Sequence, residues 1–114
     1  MSECLFCEII AHRIPATFLA EDEQVVAIRD VNPQAPTHVL ILPREHIASA
    51  ADLTPAHDPL WGHMLHVAQK IAIDEGIAGS GYRLVTNVGH AGGQTVSHLH
   101  IHLLGGRQMS WPPG

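Results

Sequence analysis

Near the end of the chain, His98-Leu99-His100-Ile101-His102-Leu103-Leu104 alternates histidine with aliphatic side chains at a strict period of two. Read as a β-strand over 98–104, it puts His98, His100 and His102 on one face and Leu99, Ile101 and Leu103 on the other. The aliphatic face requires a core, so the histidine face is expected to open toward something polar. Just upstream lies Gly92-Gly93-Gln94-Thr95, whose bare N–H groups and hydroxyl suit an anion. Imidazoles lined up beside an anion cradle suggest chemistry on phosphate. The plainer reading is a surface strand whose outward positions are histidine by chance, in a chain with 10 histidines.

A strand of that kind needs partners, and the rest of the chain supplies them. Residues 4–12 read as a short helix with Leu5, Phe6, Ile9 and Ile10 as its apolar stripe, stopped by Pro15. Strands are expected over 17–20 and 25–30, joined by the acidic turn Glu21-Asp22-Glu23-Gln24. Asn32-Pro33-Gln34-Ala35-Pro36 is a rigid loop, and residues 38–42 form a third strand closed by Pro43. Residues 47–53 suit a helical turn. Asp58 is expected to cap a long helix over 60–75, with Pro59 in its first turn and Gly76 at its end. Trp61, Met64, Leu65, Ala68, Ile71 and Ala72 recur at helical spacing and should face the core. Residues 82–88 and 98–104 complete five strands. Hairpins with one long helix imply a single α+β domain over residues 1–114, built on an antiparallel sheet.

Composition narrows the function. The formal charge is −5 with no basic stripe, which argues against a general nucleic-acid surface. An anionic ligand would be held by local backbone dipoles and histidines, not by a long-range positive field. No apolar run has the length of a membrane span, and Met1-Ser2-Glu3 lacks a basic signal start, so a cytoplasmic protein without membrane partners is expected. In that setting the pair Cys4-x-x-Cys7 suggests metal or redox chemistry more than a structural disulfide. His46 and His98 are the candidates to complete a tetrahedron with Cys4 and Cys7. A structural zinc ion fits such a set, since four protein ligands leave no open position for water. Two reduced, partly buried cysteines or a redox pair are the other readings. His63 and His66 could pair at i and i+3, or simply be solvated or packed helix residues. His12 and His57 carry no signal, and His90 is expected to be exposed.

The triad His98-Leu99-His100-Ile101-His102-Leu103-Leu104 resembles the signature of the histidine triad (HIT) superfamily of nucleotide-binding hydrolases. Cys4-Leu5-Phe6-Cys7-Glu8-Ile9-Ile10, the run from Asp30 to His38 and the tail from Gly105 to Gly114 are similar to the Hint branch, in family order. The resemblance implies a HIT-like fold: a five-stranded antiparallel sheet with two main helices, paired across a homodimer into a continuous ten-stranded sheet. It implies that His100 is the nucleophile, transiently nucleotidylated, that His102 sits at the phosphate oxygens, and that His38 lies close to the nucleophile, helping to orient or proton-balance the triad. Asn87, Gly93, Gln94 and Thr95 map onto the phosphate loop, with threonine where animal relatives commonly have serine. Asp30 maps onto the residue that holds the ribose hydroxyls. The base would lie against Leu5, Phe6, Ile9, Ile28 and Val31. Related bacterial members often bind zinc through the set matched by Cys4, Cys7, His46 and His98. Trp111, in the rigid tail Trp111-Pro112-Pro113, would lie near the partner's site.

The activity so implied is that of a purine nucleoside phosphoramidase, acting on nucleoside 5′-monophosphoramidates. A dinucleoside polyphosphate hydrolase is the rival within the superfamily, although that branch ends differently from Trp111-Pro112-Pro113-Gly114. A nucleotide-binding interaction module and a zinc-stapled domain without catalysis are the rivals from other classes.

Overall fold

The computed structural model describes residues 3–114. Five strands, β1 (Phe18–Glu21), β2 (Val25–Arg29), β3 (Thr37–Pro43), β4 (Tyr82–Val85) and β5 (Ile101–Gly105), form one sheet in the order β1-β2-β3-β5-β4. Every neighbouring pair is antiparallel. The last strand thus inserts between β3 and β4, which brings the end of the histidine run to the sheet interior. The fold is the expected α+β architecture. Of its two helices, α1 (Leu5–Ile10) has only 6 residues and α2 (Asp58–Asp74) has 17. None of the helices among the described residues is long and apolar enough to cross a membrane.

The period of two divides the sheet into two packed faces. On one face Val39, Ile41, Leu99, Ile101 and Leu103 pack against Met64, Ala68, Ile71 and Ala72 of α2. On the other, Val26, Ile28, Leu40 and Leu42 pack against Phe6 and Ile9 of α1. His38 shares the α1 face by parity with Leu40, and Leu40 lies directly opposite His102. The α2 stripe of Leu60, Met64, Ala68, Ile71 and Ala72 is buried, with Trp61 on its flank. Leu65, expected in the core, is 37% exposed, because it sits one residue, about 100°, round the helix from the fully buried Met64.

Several boundaries differ from those expected. β5 starts at Ile101 rather than His98, and β4 stops at Val85 rather than Val88, for one shared reason. Beyond the Val85–His102 pair the ladder gives way to a side-chain bond, with the Thr86 hydroxyl donating to the His100 carbonyl at 2.8 Å. The Leu99 N–H turns instead to the Ile47 carbonyl, 2.7 Å away in the loop after β3. The α1 helix is shorter than 4–12, since Cys4 is its N-cap and Ala11 its C-cap. It ends well before Pro15. His12 adopts φ 60°, the Arg13 N–H reaches the Glu8 carbonyl at 2.9 Å and the His12 N–H reaches the Ile9 carbonyl at 2.9 Å. That is the Schellman pattern that glycine usually completes. Leu5 and Ile10 leave the predicted stripe: Leu5 is exposed and Ile10 half-buried, while Phe6 and Ile9 are buried.

Asp58 is the first residue of α2 and not its cap. Residues Pro55–His57 already wind as a 3-10 turn, so His57 precedes the helix in a helical conformation. The helix stop at Gly76 is as expected, with φ 75° and the Ile77 N–H bonded to the Ala72 carbonyl at 3.0 Å. The strands expected over 17–20, 25–30 and 38–42 agree with β1, β2 and β3 to within one residue.

Candidate active site and metal centre

The histidine face, expected to open toward something polar, is largely covered by protein. His98 is fully buried and His100 and His38 nearly so, and Phe6 of α1 puts its ring edge-on to His98 and His100. What stays open is a cavity of about 210 Å³. It is lined by His100, His102 and Asp30 and by the apolar side chains of Leu5, Phe6, Ile9, Ile28 and Val31.

Backbone groups decide the protonation pattern of the imidazoles. His100 Nδ1 lies 2.7 Å from the His98 carbonyl, which only accepts, so Nδ1 carries the proton and Nε2 keeps its lone pair. His38 Nδ1 accepts from the Gln34 N–H at 3.0 Å, so its proton sits on Nε2. That Nε2 is 2.9 Å from His102 Nδ1, to which it donates, and 3.4 Å from Asp30 Oδ2. His102 therefore holds its own proton on Nε2. Burial pushes His102 down to about 4, reinforced by the neighbouring His100 and His38 and opposed by Asp30. Burial likewise lowers His38, against the pull of Asp30. Both are neutral near pH 7, and each offers one proton in a fixed direction. Asp30, His38 and His102 also have ligand atoms close enough together to suggest a second metal group. The Gln34 N–H argues otherwise, since it keeps the proton on the very nitrogen of His38 that a metal would need.

The glycine-containing loop is held together largely by its own side chains. Asn87 Nδ2 donates to the Gly92 carbonyl at 2.7 Å. Gln94 accepts from the Gly89 N–H at 3.0 Å and donates to the carbonyls of Ala48 at 2.7 Å and Val96 at 3.1 Å. Gly93 sits at φ 81° with its N–H on the His90 carbonyl. Of the four predicted loop residues, Thr95 alone lines the cavity, while Asn87, Gly93 and Gln94 shape the loop behind it. At Gly92 an added Cβ would run into the Val88 carbonyl oxygen, so the loop closes tightly there. Ala16, Leu40 and Val96 also line the cavity and were not anticipated. Leu40 was readable from its shared parity with His38. Ala16 and Val96 carried no signal.

Cys4, Cys7, His46 and His98 converge as expected. His98 Nδ1 is 3.4 Å from Cys4 Sγ, 3.5 Å from Cys7 Sγ and 3.1 Å from His46 Nδ1, and Cys7 Sγ is 3.3 Å from His46 Nδ1. Zinc bonds of about 2.0 Å to nitrogen and about 2.3 Å to sulfur give tetrahedral edges of about 3.3–3.8 Å, close to this spacing. His98 Nε2 donates to the Pro43 carbonyl at 2.9 Å, which leaves the Nδ1 lone pair facing the sulfurs. The set fits zinc. His63 does not pair with His66: its Nε2 lies 2.6 Å from Asp22 Oδ2. His57 reaches Glu45 at 3.4 Å, His90 is exposed, and Trp111 is 82% exposed.

Comparison with known proteins agrees with this picture. A family model described as the HIT domain matches residues 11–109. A protein of Escherichia coli named purine nucleoside phosphoramidase is 48% identical over 94% of this chain and 90% of its own. A 14 kDa zinc-binding protein of Zea mays is 49% identical over 99% of this chain and 89% of its own. Among solved structures, a HIT family hydrolase of Legionella pneumophila superposes with a TM-score of 0.97 at 53% identity, covering 98% of this chain and all of that one.

Proposed function

Because the chain belongs to the HIT domain family, we propose that it is a purine nucleoside phosphoramidase. It would hydrolyse the P–N bond of adenosine or guanosine 5′-monophosphoramidates, releasing the mononucleotide and an amine. The observation that carries this reading is the tautomer of His100. Its Nδ1–H is committed to the His98 carbonyl at 2.7 Å, so the unprotonated Nε2 is available as a nucleophile in the cavity. The name of the Escherichia coli relative supports the substrate class.

The base lies against Leu5, Phe6, Ile9, Ile28 and Val31, the ribose hydroxyls at Asp30, and the phosphate among Thr95, His100 and His102. His100 Nε2 bonds to phosphorus as the P–N bond breaks, and the amine leaves with a proton drawn from solvent, which the attacking water gives back in the second step. The His98 carbonyl stabilises the positive ring so formed. His102 donates a hydrogen bond from its Nε2–H to the phosphate oxygen that gains charge, with His38 holding it in that tautomer. Water then replaces His100 on phosphorus and restores the free imidazole. Zinc held by Cys4, Cys7, His46 and His98 supplies a fixed cross-link and no chemistry at phosphorus. The reading includes a homodimer formed through the edge strand β4, supported by the exposure of Leu84 on that edge and of Trp111 in the tail.

The test is steady-state hydrolysis of an adenosine 5′-phosphoramidate bearing a fluorescent amine, with diadenosine polyphosphate as competitor. Wild type should turn over the phosphoramidate, and His100→Ala should lose about a thousandfold or more in kcat while still binding AMP. AMP binding with no turnover of either substrate by wild type would refute the proposal and favour an interaction module.

A further inference from the structure

The metal centre and the nucleotide cavity share one small piece of structure. Cys4 caps α1 and Cys7 lies within it, while Leu5, Phe6 and Ile9 of the same six-residue helix form the cavity wall. So short a helix is not stable by itself and depends on what anchors it. Two of its anchors are metal ligands. The third and fourth ligands lie on either side of the reactive residue's support: His46 directly precedes Ile47, whose carbonyl holds the Leu99 N–H, and the His98 carbonyl holds the His100 Nδ1–H. Phe6 bridges the two sites, with ring centroids 6.0 Å from His98 and 5.1 Å from His100.

We propose that metal occupancy of the Cys4–Cys7–His46–His98 centre and nucleotide binding are thermodynamically coupled through α1, because the metal holds the helix that forms the nucleoside wall. This inference rests on the nucleotide-binding reading above. The four ligands then act as positioning residues for the nucleoside, and the ion raises affinity without touching the ligand. Coupling of this kind is reciprocal: the factor by which zinc tightens AMP is the factor by which AMP tightens zinc.

The experiment titrates AMP calorimetrically into zinc-loaded protein and into protein stripped by a chelator. Zinc affinity is then measured by competition with a chromogenic chelator, with and without saturating nucleotide. Adenosine serves as a second probe because it lacks the phosphate that binds zinc directly. Stripping should weaken AMP about tenfold or more, within the common range of coupling free energies, and the reciprocal factor should match. Hydrogen exchange locates the effect. The Glu8 and Ala11 amides, bonded to the Cys4 and Cys7 carbonyls, should lose protection while the β2–β3 ladder keeps it. Equal AMP affinity with and without zinc would overturn the coupling and leave the nucleotide reading intact. Absence of AMP binding to the zinc-loaded protein would overturn both. Loss of protection throughout the sheet on stripping would also overturn it, since zinc would then be holding the whole fold and not one wall.

Discussion

The sheet interior should make this protein acid-sensitive, and His102 sets the scale. In the folded chain its imidazole is held down to about 4 by burial and by His100 and His38, with Asp30 opposing. In the unfolded chain it returns to about 6.5. The unfolded state therefore binds more protons between those two values. Stability is complete above about pH 6.5 and is lost as pH falls toward 4. At about 1.4 kcal/mol per pH unit the full loss is about 3 kcal/mol, of which about 2 kcal/mol is gone by pH 5. That is a large share of the about 5–15 kcal/mol that holds a domain of this size. The assay is urea unfolding at pH 7.5 and pH 5 on wild type and His102→Leu. Leucine cannot titrate, so wild type should lose about 2 kcal/mol more than the variant between the two conditions. Costs that do not vary with pH, such as the lost hydrogen bond with His38, cancel in the difference. Metal release in acid affects both chains and cancels too. Equal losses in the two proteins would refute the argument that a half-buried neutral His102 opposes protonation.

Four further substitutions at three positions probe the frame around the site. Met64, fully buried between α2 and the sheet, should cost about 2–5 kcal/mol in urea unfolding when changed to alanine, because its cavity cannot fully collapse. Gly92→Ala places a Cβ against the Val88 carbonyl and must displace the loop that carries Thr95. It should weaken AMP binding about tenfold or more in the calorimeter while the thermal midpoint moves by only a few degrees. At the end of α1, His12→Gly relieves the left-handed backbone but loses the ring stacked 4.6 Å from Phe18 and the bond to Glu21, so its net effect on unfolding should be within about 1 kcal/mol. His12→Val keeps the strain and loses both contacts, and should cost about 1–3 kcal/mol. Equal effects of glycine and valine would mean that the backbone at His12 is not strained.

How much of this was legible in the chain depends on which atoms make the contacts. The alternation over 98–104 placed the aliphatic side chains on α2 and the histidines on the opposite face, because a period of two is a property of side chains. Cys4, Cys7, His46 and His98 were likewise readable as a set, since sulfur and imidazole carry their chemistry wherever the chain places them. The start of β5, the tautomer of His98 and the hydrogen bonds of Asn87 and Gln94 were not readable. Each is decided by a main-chain group supplied from elsewhere: the Ile47 carbonyl for Leu99, the Pro43 carbonyl for His98, and the carbonyls and N–H of the loop for its two amides. Main-chain groups have no residue identity, so no pattern of residue types announces them. The same limit explains why three histidines at equal spacing are chemically unequal. His98 presents Nδ1 because Pro43 holds its Nε2–H. His100 presents Nε2 because residue 98 holds its Nδ1–H. His102 presents a proton because the Gln34 amide fixes His38, which in turn fixes His102. The sequence supplies three identical rings, and the backbone leaves the first with a bare Nδ1, the second with a bare Nε2 and the third with its proton on Nε2.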